Sequence, residues 1–331
     1  MSPNSVRIDS AGSSKITDLG RSYGPNIGLA VHGALDQFAA RVANALVGND
    51  EMAPLLELTV HDMAFTPDVD ILVAVTGART DVRVNGVKVP GWQPFLAPRG
   101  EQVTLTGIRD GARSYVAVRG GFEAARLMGS CAPEPALGIG GSLSDGDVVE
   151  VKGGRLDIEN PVLGLVFFNF DVDRSMTEER FDIPIVWGPD CEDFDLIDTL
   201  VTETYEVGSR SNHIGMRMTG PSPRRRVTTE VLSRAVPVGA VEIPSPDSLL
   251  VLLRSRSVTA GYPVIAVATA LGQDRLGQLR PGDRIRFVAQ DLAVAVAEER
   301  RRRELAHRIA ARSRGALGAL RPDHALTRTT H

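Results

Sequence analysis

Cysteine is almost absent. Cys131 and Cys191 are the only two in 331 residues, and no CxxC contains them. That excludes a disulfide scaffold and a paired-thiol metal or redox motif, and it suits a reducing compartment. Long apolar runs are missing too. The longest, PVLGLVFFNF at 161–170, is far too short to span a bilayer. The opening MSPNSVRIDSAGSSK has no apolar signal core. The expectation is a cytoplasmic protein with no membrane association. Charge of one sign is also lacking. A net charge of −4 and a pI near 5.9 give no global electrostatic reason to bind nucleic acid.

Most catalytic signatures are absent. There is no GxxxxGK[ST] phosphate loop, no HExxH or paired-histidine metal spacing, and no GxSxG nucleophile elbow. GIGGSLSDGD at 138–147 is Gly-rich but lacks the strand–turn–helix setting of a dinucleotide site. No metal is expected.

What is present reads as an ordinary globular chain, 43% hydrophobic and 24% charged, long enough for two domains. One stretch, HGALDQFAARVANALVGND at 32–50, has helical period. Leu35, Phe38, Val42 and Leu46 form a single apolar stripe, which predicts an amphipathic helix over 35–47. Asp36 suits the N-cap, and Gly48-Asn49 suits a left-handed C-terminal cap. Elsewhere the pattern is strand. DILVAVTGA, VRVNGVKV, QVTLTGI, SYVAVRGGF and DGDVVEV are followed by RFDIPIVWGPD, HIGMRMTGP, GAVEIP, SLLVLL, YPVIAVATA and DRIRFVAQ. Asn85-Gly86 is a hairpin signal. Short, evenly spaced strands predict barrels or closed sheets.

SYVAVRGG…LSDGDVVEV in the first half echoes GYPVIAVATA…LRPGDRIRF in the second. This leaves two readings, a repeated β-rich unit or merely common Gly-Asp turns. The division adopted is 1–151 for an N-terminal β-barrel unit, 152–290 for a C-terminal one, and 291–331 for a helix followed by a disordered basic tail. The helix is expected to be solvated, with Glu298, Glu299 and Glu304 beside Arg300 to Arg303.

A longer pattern overlies these elements. ITDLGRSYGPNIGLAVHGALDQFAARVANALVGNDEMAPLLEL resembles the opening of the biotin-dependent carboxyltransferase-like family, whose members are also called allophanate hydrolase subunit 2, KipA or the C component of 5-oxoprolinase. YVAVRGGF, RMTGP, VPVGAVEIP, TAGYPVIA and QLRPGDRIRF extend the resemblance over roughly 14–290. The resemblance implies a mainly β fold with a few helices, two cyclophilin-like β-barrel units in tandem. It implies one subunit of a hetero-oligomeric enzyme, of the ATP-dependent 5-oxoprolinase type or the carboxyltransferase part of urea carboxylase. The substrate would be a small amide, lactam or urea-like compound met at the interface with a KipI-like partner. A LamB/YcsF-like subunit or a biotin carboxylase is a further implied partner. No cofactor is expected to be covalently bound, with biotin on a partner or ATP in the complex. The alternative is a regulatory protein without catalysis that antagonises a KipI-like kinase inhibitor.

The chain departs from the family at several positions. His32 stands where serine is usual, Arg234 where glutamate is, and Glu242 where glutamine is. Ser255 replaces an acidic residue and Ser257 a glutamine. These departures are expected to cluster at ligand contacts, where each lost polar partner costs about 1–3 kcal/mol. No residue is assigned a catalytic role. The substrate-binding candidates are Arg21, His32, Asp36, Asn49, Thr259, Gly261 and Tyr262. Arg21 is a planar donor for a carboxylate or ureido oxygen, or else the partner of Asp18 or Asp36. His32 is an acid–base group or a structural histidine. Tyr262 is a ligand contact or a packed core tyrosine. Thr259 and Gly261 suit close backbone approach. Glu57 is a candidate buried partner for Arg21 or Arg119.

Overall fold

The computed structural model describes residues 4–152, 172, 181–227 and 229–319. The apolar run at 161–170, the expected junction between the halves and the expected tail beyond 319 lie outside the described residues.

The first unit has nine strands: β1 (Ser5–Ser10), β2 (Ser14–Thr17), β3 (Leu55–Thr59), β4 (Met63–Pro67), β5 (Ile71–Val84), β6 (Val87–Val89), β7 (Pro94–Ala97), β8 (Val103–Val118) and β9 (Val148–Glu150). They form one sheet in the order β2-β3-β8-β4-β1-β9, with β5 pairing β6, β7 and β8. Two pairs of expected short strands are in fact single long ones. β5 runs through 71–84 and β8 through 103–118, and their mutual register slips between Gly77 and Arg79 and between Arg79 and Asp81. Such bulges add twist and let one long strand serve two parts of a curved sheet. Gly77 is required there: its φ is 86°, and a Cβ would stand 2.4 Å from the Arg113 carbonyl. The Asn85-Gly86 hairpin is present, with φ of 47° and 79° as a type I′ turn demands. One sheet face buries Val6, Ile8, Phe65, Val75, Phe95 and Val116.

The other face carries α1 (Gln37–Leu46). Phe38, Val42 and Leu46 are buried as the stripe predicts, together with Ala39, Ala40 and Ala43. Asp36 caps the helix by accepting from the Ala39 N–H at 2.9 Å. Gly48, with φ of 75°, ends it.

The second unit is a closed barrel. Its strands are β10 (Asp182–Trp187), β12 (Tyr205–Val207), β13 (Gly215–Thr219), β16 (Ala240–Ser245), β17 (Ser248–Leu252), β19 (Val264–Ala268) and β20 (Arg284–Ala289). They close in the order β10-β19-β16-β17-β13-β12-β20, the last strand returning parallel to the first. Ile185, Tyr205, Met218, Val241, Val251, Ile265 and Phe287 fill the interior. Two short ribbons are added, β11 (Phe194–Asp195) with β14 (Arg224–Arg225), and β15 (Arg234–Ala235) with β18 (Thr259–Ala260). The further helices among the described residues are α2 (Thr199–Thr202), α3 (Ala270–Gly277) and α4 (Leu292–Ala319). The fold class is therefore mainly β, two β units in tandem, the first a half-barrel and the second closed.

α4 corrects an expectation. It is helical, but it is not a solvated helix: Ala306, Ile309, Ala310 and Leu317 are buried in the same cluster as α1. Small residues let the two helices approach, and Arg302 lies 4.9 Å over the Phe38 ring while pairing with Asp274. Among the described residues, no helix is long and apolar enough to cross a membrane.

Candidate functional site

A cleft of about 670 Å³ opens between the two units. The first unit lines it with Lys15, His32 and Glu134, and the second with His213, Ser255, Arg256 and Ser257. Lys15 is on β2. His32 is in the loop before α1, where its φ of 50° is rare outside glycine and tolerated by histidine. The loop is tied across the units. The His32 N–H donates to the Arg254 carbonyl at 3.0 Å, and Arg254 returns bonds to the His32 and Leu19 carbonyls at 2.7 Å each. The Ser255 N–H donates to the His213 carbonyl at 3.0 Å, which fixes those two residues side by side.

Two charge clusters follow. In the first, Lys15 Nζ is 3.0 Å from Glu57 Oε1 and 3.2 Å from His213 Nε2. Glu57 is fully buried. Burial pushes its carboxyl up, but the neighbouring cations, Lys15 foremost and then Arg113, outweigh that and hold it well below the usual carboxylate range. Burial pushes the His213 imidazole down to about 4, against the opposing pull of Glu57. His213 is thus neutral near pH 7, with the Lys15 ammonium 3.3 and 3.2 Å from its two ring nitrogens. The second cluster is a chain. Arg21 Nη1 stands 3.3 Å from Glu134 Oε2, the same oxygen is 3.0 Å from His32 Nε2, and His32 Nδ1 is 2.8 Å from Ser255 Oγ. Burial moves the His32 pKa down, Glu134 opposes the shift, and Arg21 adds to it.

Arg256 has a different character. It is 5% exposed, and its Nε and Nη2 donate to the Val236 carbonyl at 3.0 and 2.6 Å. Its Nη1 has no partner, and no carboxylate among the described residues pairs with it. The cleft wall therefore contains a buried positive charge that no carboxylate among the described residues pairs with.

The sequence-predicted residues divide. His32 lines the cleft, and Arg21 lies beneath it, 1% exposed. Arg21 does not pair with Asp18 or Asp36; it holds Glu134 and the Ala132 carbonyl. Asp18 is occupied by the Gly20 and Cys131 N–H groups and the Ser130 hydroxyl. Glu57 pairs with Lys15 rather than Arg21. Asp36 is the helix cap and also accepts from Gln278 Nε2 at 2.8 Å. Around the start of α1, Leu35, Asp36, Gln37 and Ala39 give their N–H groups to Glu57, Tyr115, Asp274 and Asp36. Asn49 ties the helix end to the sheet through Asn44, the Val118 carbonyl and the Gly120 N–H.

Thr259, Gly261 and Tyr262 are elsewhere. Gly261 and Tyr262 line a separate groove of about 1030 Å³ with Glu230–Ser233 and Ile243–Asp247, and Thr259 is in the ribbon strand β18 beside it. Tyr262 is 46% exposed, so it is not a packed core tyrosine. The family departures split in the same way. His32, Ser255 and Ser257 meet in the cleft, while Arg234 is neutralised by Asp190 and Glu242 is buried in the barrel wall. Lys15, Glu134 and His213 carried no sequence signal; each is isolated in the chain and joins the site only through folding.

The pattern that defines the carboxyltransferase domain, subdomains A and B, matches residues 27–289. The chain belongs to that carboxyltransferase domain family. Over 289 residues it is 32% identical to the C component of 5-oxoprolinase from Escherichia coli, covering 85% of this chain and 89% of that one. Over 282 residues it is 24% identical to urea amidolyase of Saccharomyces cerevisiae, 79% of this chain but 15% of that one. The crystal structure of Kluyveromyces lactis urea carboxylase superposes with a TM-score of 0.81 at 22% identity, over 93% of this chain and 29% of that chain. The family's fold is thus the one described above, and this chain spans only a minor part of both fungal proteins.

Proposed function

We propose that this chain is one subunit of a hetero-oligomeric assembly of the 5-oxoprolinase type, acting on a small lactam or amide in the cleft between its units. The observation that carries the reading is the cleft wall itself, with neutral His213 beside Lys15 and with the unpaired guanidinium of Arg256. A buried cation without a counter-charge is costly until an anion arrives. A lactam that bears a carboxylate is drawn to the cleft by that charge in its wall, and uncharged urea is not. Lys15 and His213 then face the carbonyl oxygen, stabilising charge that develops there. This replaces the expected role of Arg21, which is spent on Glu134 and Ala132.

The partner is a KipI-like subunit, with a LamB/YcsF-like third member for ATP-dependent ring opening. In the carboxyl-transfer variant of this reading, biotin on a partner would supply the carboxyl carrier, and Lys15 would be the cleft's cationic donor to it. The test is co-expression with KipI-like and LamB/YcsF-like proteins, followed by 5-oxoproline turnover with ATP. A complex that turns over 5-oxoproline and whose KM rises about tenfold or more in Arg256→Gln is the expected result. No complex overturns the reading. A tight complex without turnover favours instead a regulatory subunit that restrains a KipI-like inhibitor.

A further inference from the structure

Ser255, His32 and Glu134 come from three distant stretches of the chain and meet in a line on the wall of the cleft. We infer that they form a nucleophilic relay, with Ser255 as the attacking hydroxyl, His32 as its base and Glu134 as the group that orients the base. The substrate class is a small carboxylic ester or amide with a negative charge, which the buried positive charge of Arg256 in the cleft wall favours.

The geometry assigns each role. A carboxylate only accepts hydrogen bonds, and Glu134 already faces the guanidinium of Arg21 at 3.3 Å. The His32 proton therefore sits on Nε2, pointed at Glu134 across 3.0 Å. The lone pair is left on Nδ1, where the Ser255 hydroxyl is 2.8 Å away. A hydroxyl, a base within hydrogen-bond reach and a third group fixing the base are the features of an activated nucleophile, on whichever fold they occur. His32 is held in place by its backbone bonds to Arg254 and by a left-handed φ. His32 and Ser255 are also two of the family departures. The usual serine and acidic residue are exchanged here for histidine and serine, which touch each other.

The steps balance without a further reagent. Ser255 Oγ bonds to the carbonyl carbon as its proton passes to His32 Nδ1, and the carbonyl electron pair moves onto oxygen. Glu134 faces the imidazolium that results. As the carbonyl re-forms, the bond to the leaving nitrogen or oxygen breaks, and that atom takes the proton from His32. Water then repeats the sequence on the acyl-serine and frees the acid.

The test uses the intact chain with a fluorophosphonate, which a relay of this kind converts to a serine phosphonate with loss of fluoride. One adduct per chain, mapped to Ser255, is expected. It should be absent in Ser255→Ala and slowed about 100-fold in His32→Gln. Its rate should fall with acid, through a midpoint below the ordinary histidine value. Glu134, Arg21, Lys15 and His213 surround the imidazole and are the charges that set that midpoint. An unlabelled Ser255, or equal rates in the wild-type chain and His32→Gln, overturns the inference. The adduct is located in the unsubstituted protein, so a variant that fails to fold does not remove the test. Because it needs no partner, the relay stands or falls separately from the proposed assembly.

Discussion

A carboxyl group closed off from water beside a second carboxylate resists ionisation, and Asp36 is placed that way. Burial and then the nearby Asp274 push it up to about 7, against the bonds it accepts from Ala39 and Gln278. An unfolded aspartate titrates near about 3.9. Between these values the folded state binds more protons, so the group's contribution is full below pH 4 and is lost as pH rises to 7. His32 and His213 act with the opposite sign, since their folded values are lowered and stability falls as acid is added. The comparison that isolates Asp36 is with Asp36→Asn, which keeps a capping oxygen. The variant is expected to gain stability relative to wild type as pH rises from 5 to 8, read from urea midpoints at each pH. A constant difference over that range would show Asp36 ionising normally. The cap itself was legible, because capping is a local matter of one side chain and the next turn. Gln278 and Asp274, more than two hundred residues away, were not. The same limit hid Lys15 and Glu134, whereas His32 and Ser255 stood out because they break a family pattern.

Between elements the decisive contact is that of α4 with α1. Arg302, 2% exposed, bonds Asp274 and Glu299 and covers the Phe38 ring. Asp274 in turn holds the Gln37 N–H at 2.7 Å, so one buried ion pair secures the start of α1. Removing the cation leaves Asp274 buried and unpaired near Asp36. Arg302→Ala is expected to cost about 3–5 kcal/mol in urea unfolding, and Arg303→Ala, on the exposed side of the same turn, about 0–1 kcal/mol. Similar losses in the two would remove the special role of the buried pair. The helix period of α1 was readable because its stripe is unbroken over three turns. α4 was readable as a helix but not as a docked one, since its arginines conceal a narrow face of alanine and isoleucine. The sequence pattern splits β5 and β8 each in two because a bulge interrupts strand alternation as a turn does.

At the scale of the molecule, the cleft depends on two units keeping one relative position, and the side chain of Gln278 joins them. Its Oε1 accepts from the Ala112 and Arg113 N–H groups at 3.1 and 3.0 Å, while Nε2 donates to Asp36 and to the Arg113 carbonyl. Arg280 adds bonds to the Gly111 and Ile108 carbonyls at 2.8 and 2.7 Å. The bulge in β8 is thus what the second unit grips, and it is also why that strand bends. Leu35, from the loop before α1, inserts into the barrel's own core. The two units are therefore expected to unfold together. Gln278→Ala leaves two buried N–H groups without acceptors, at about 1–3 kcal/mol each. It should speed hydrogen exchange at amides 112 and 113 and lower the melting temperature. It should also slow fluorophosphonate labelling of Ser255, although no cleft residue is changed, because the relay draws His32 and Glu134 from one unit and Ser255 from the other. Faster exchange with unchanged labelling would place the hold on the cleft in the Arg254 ties alone, and Arg254→Leu would then be the variant that separates His32 from Ser255.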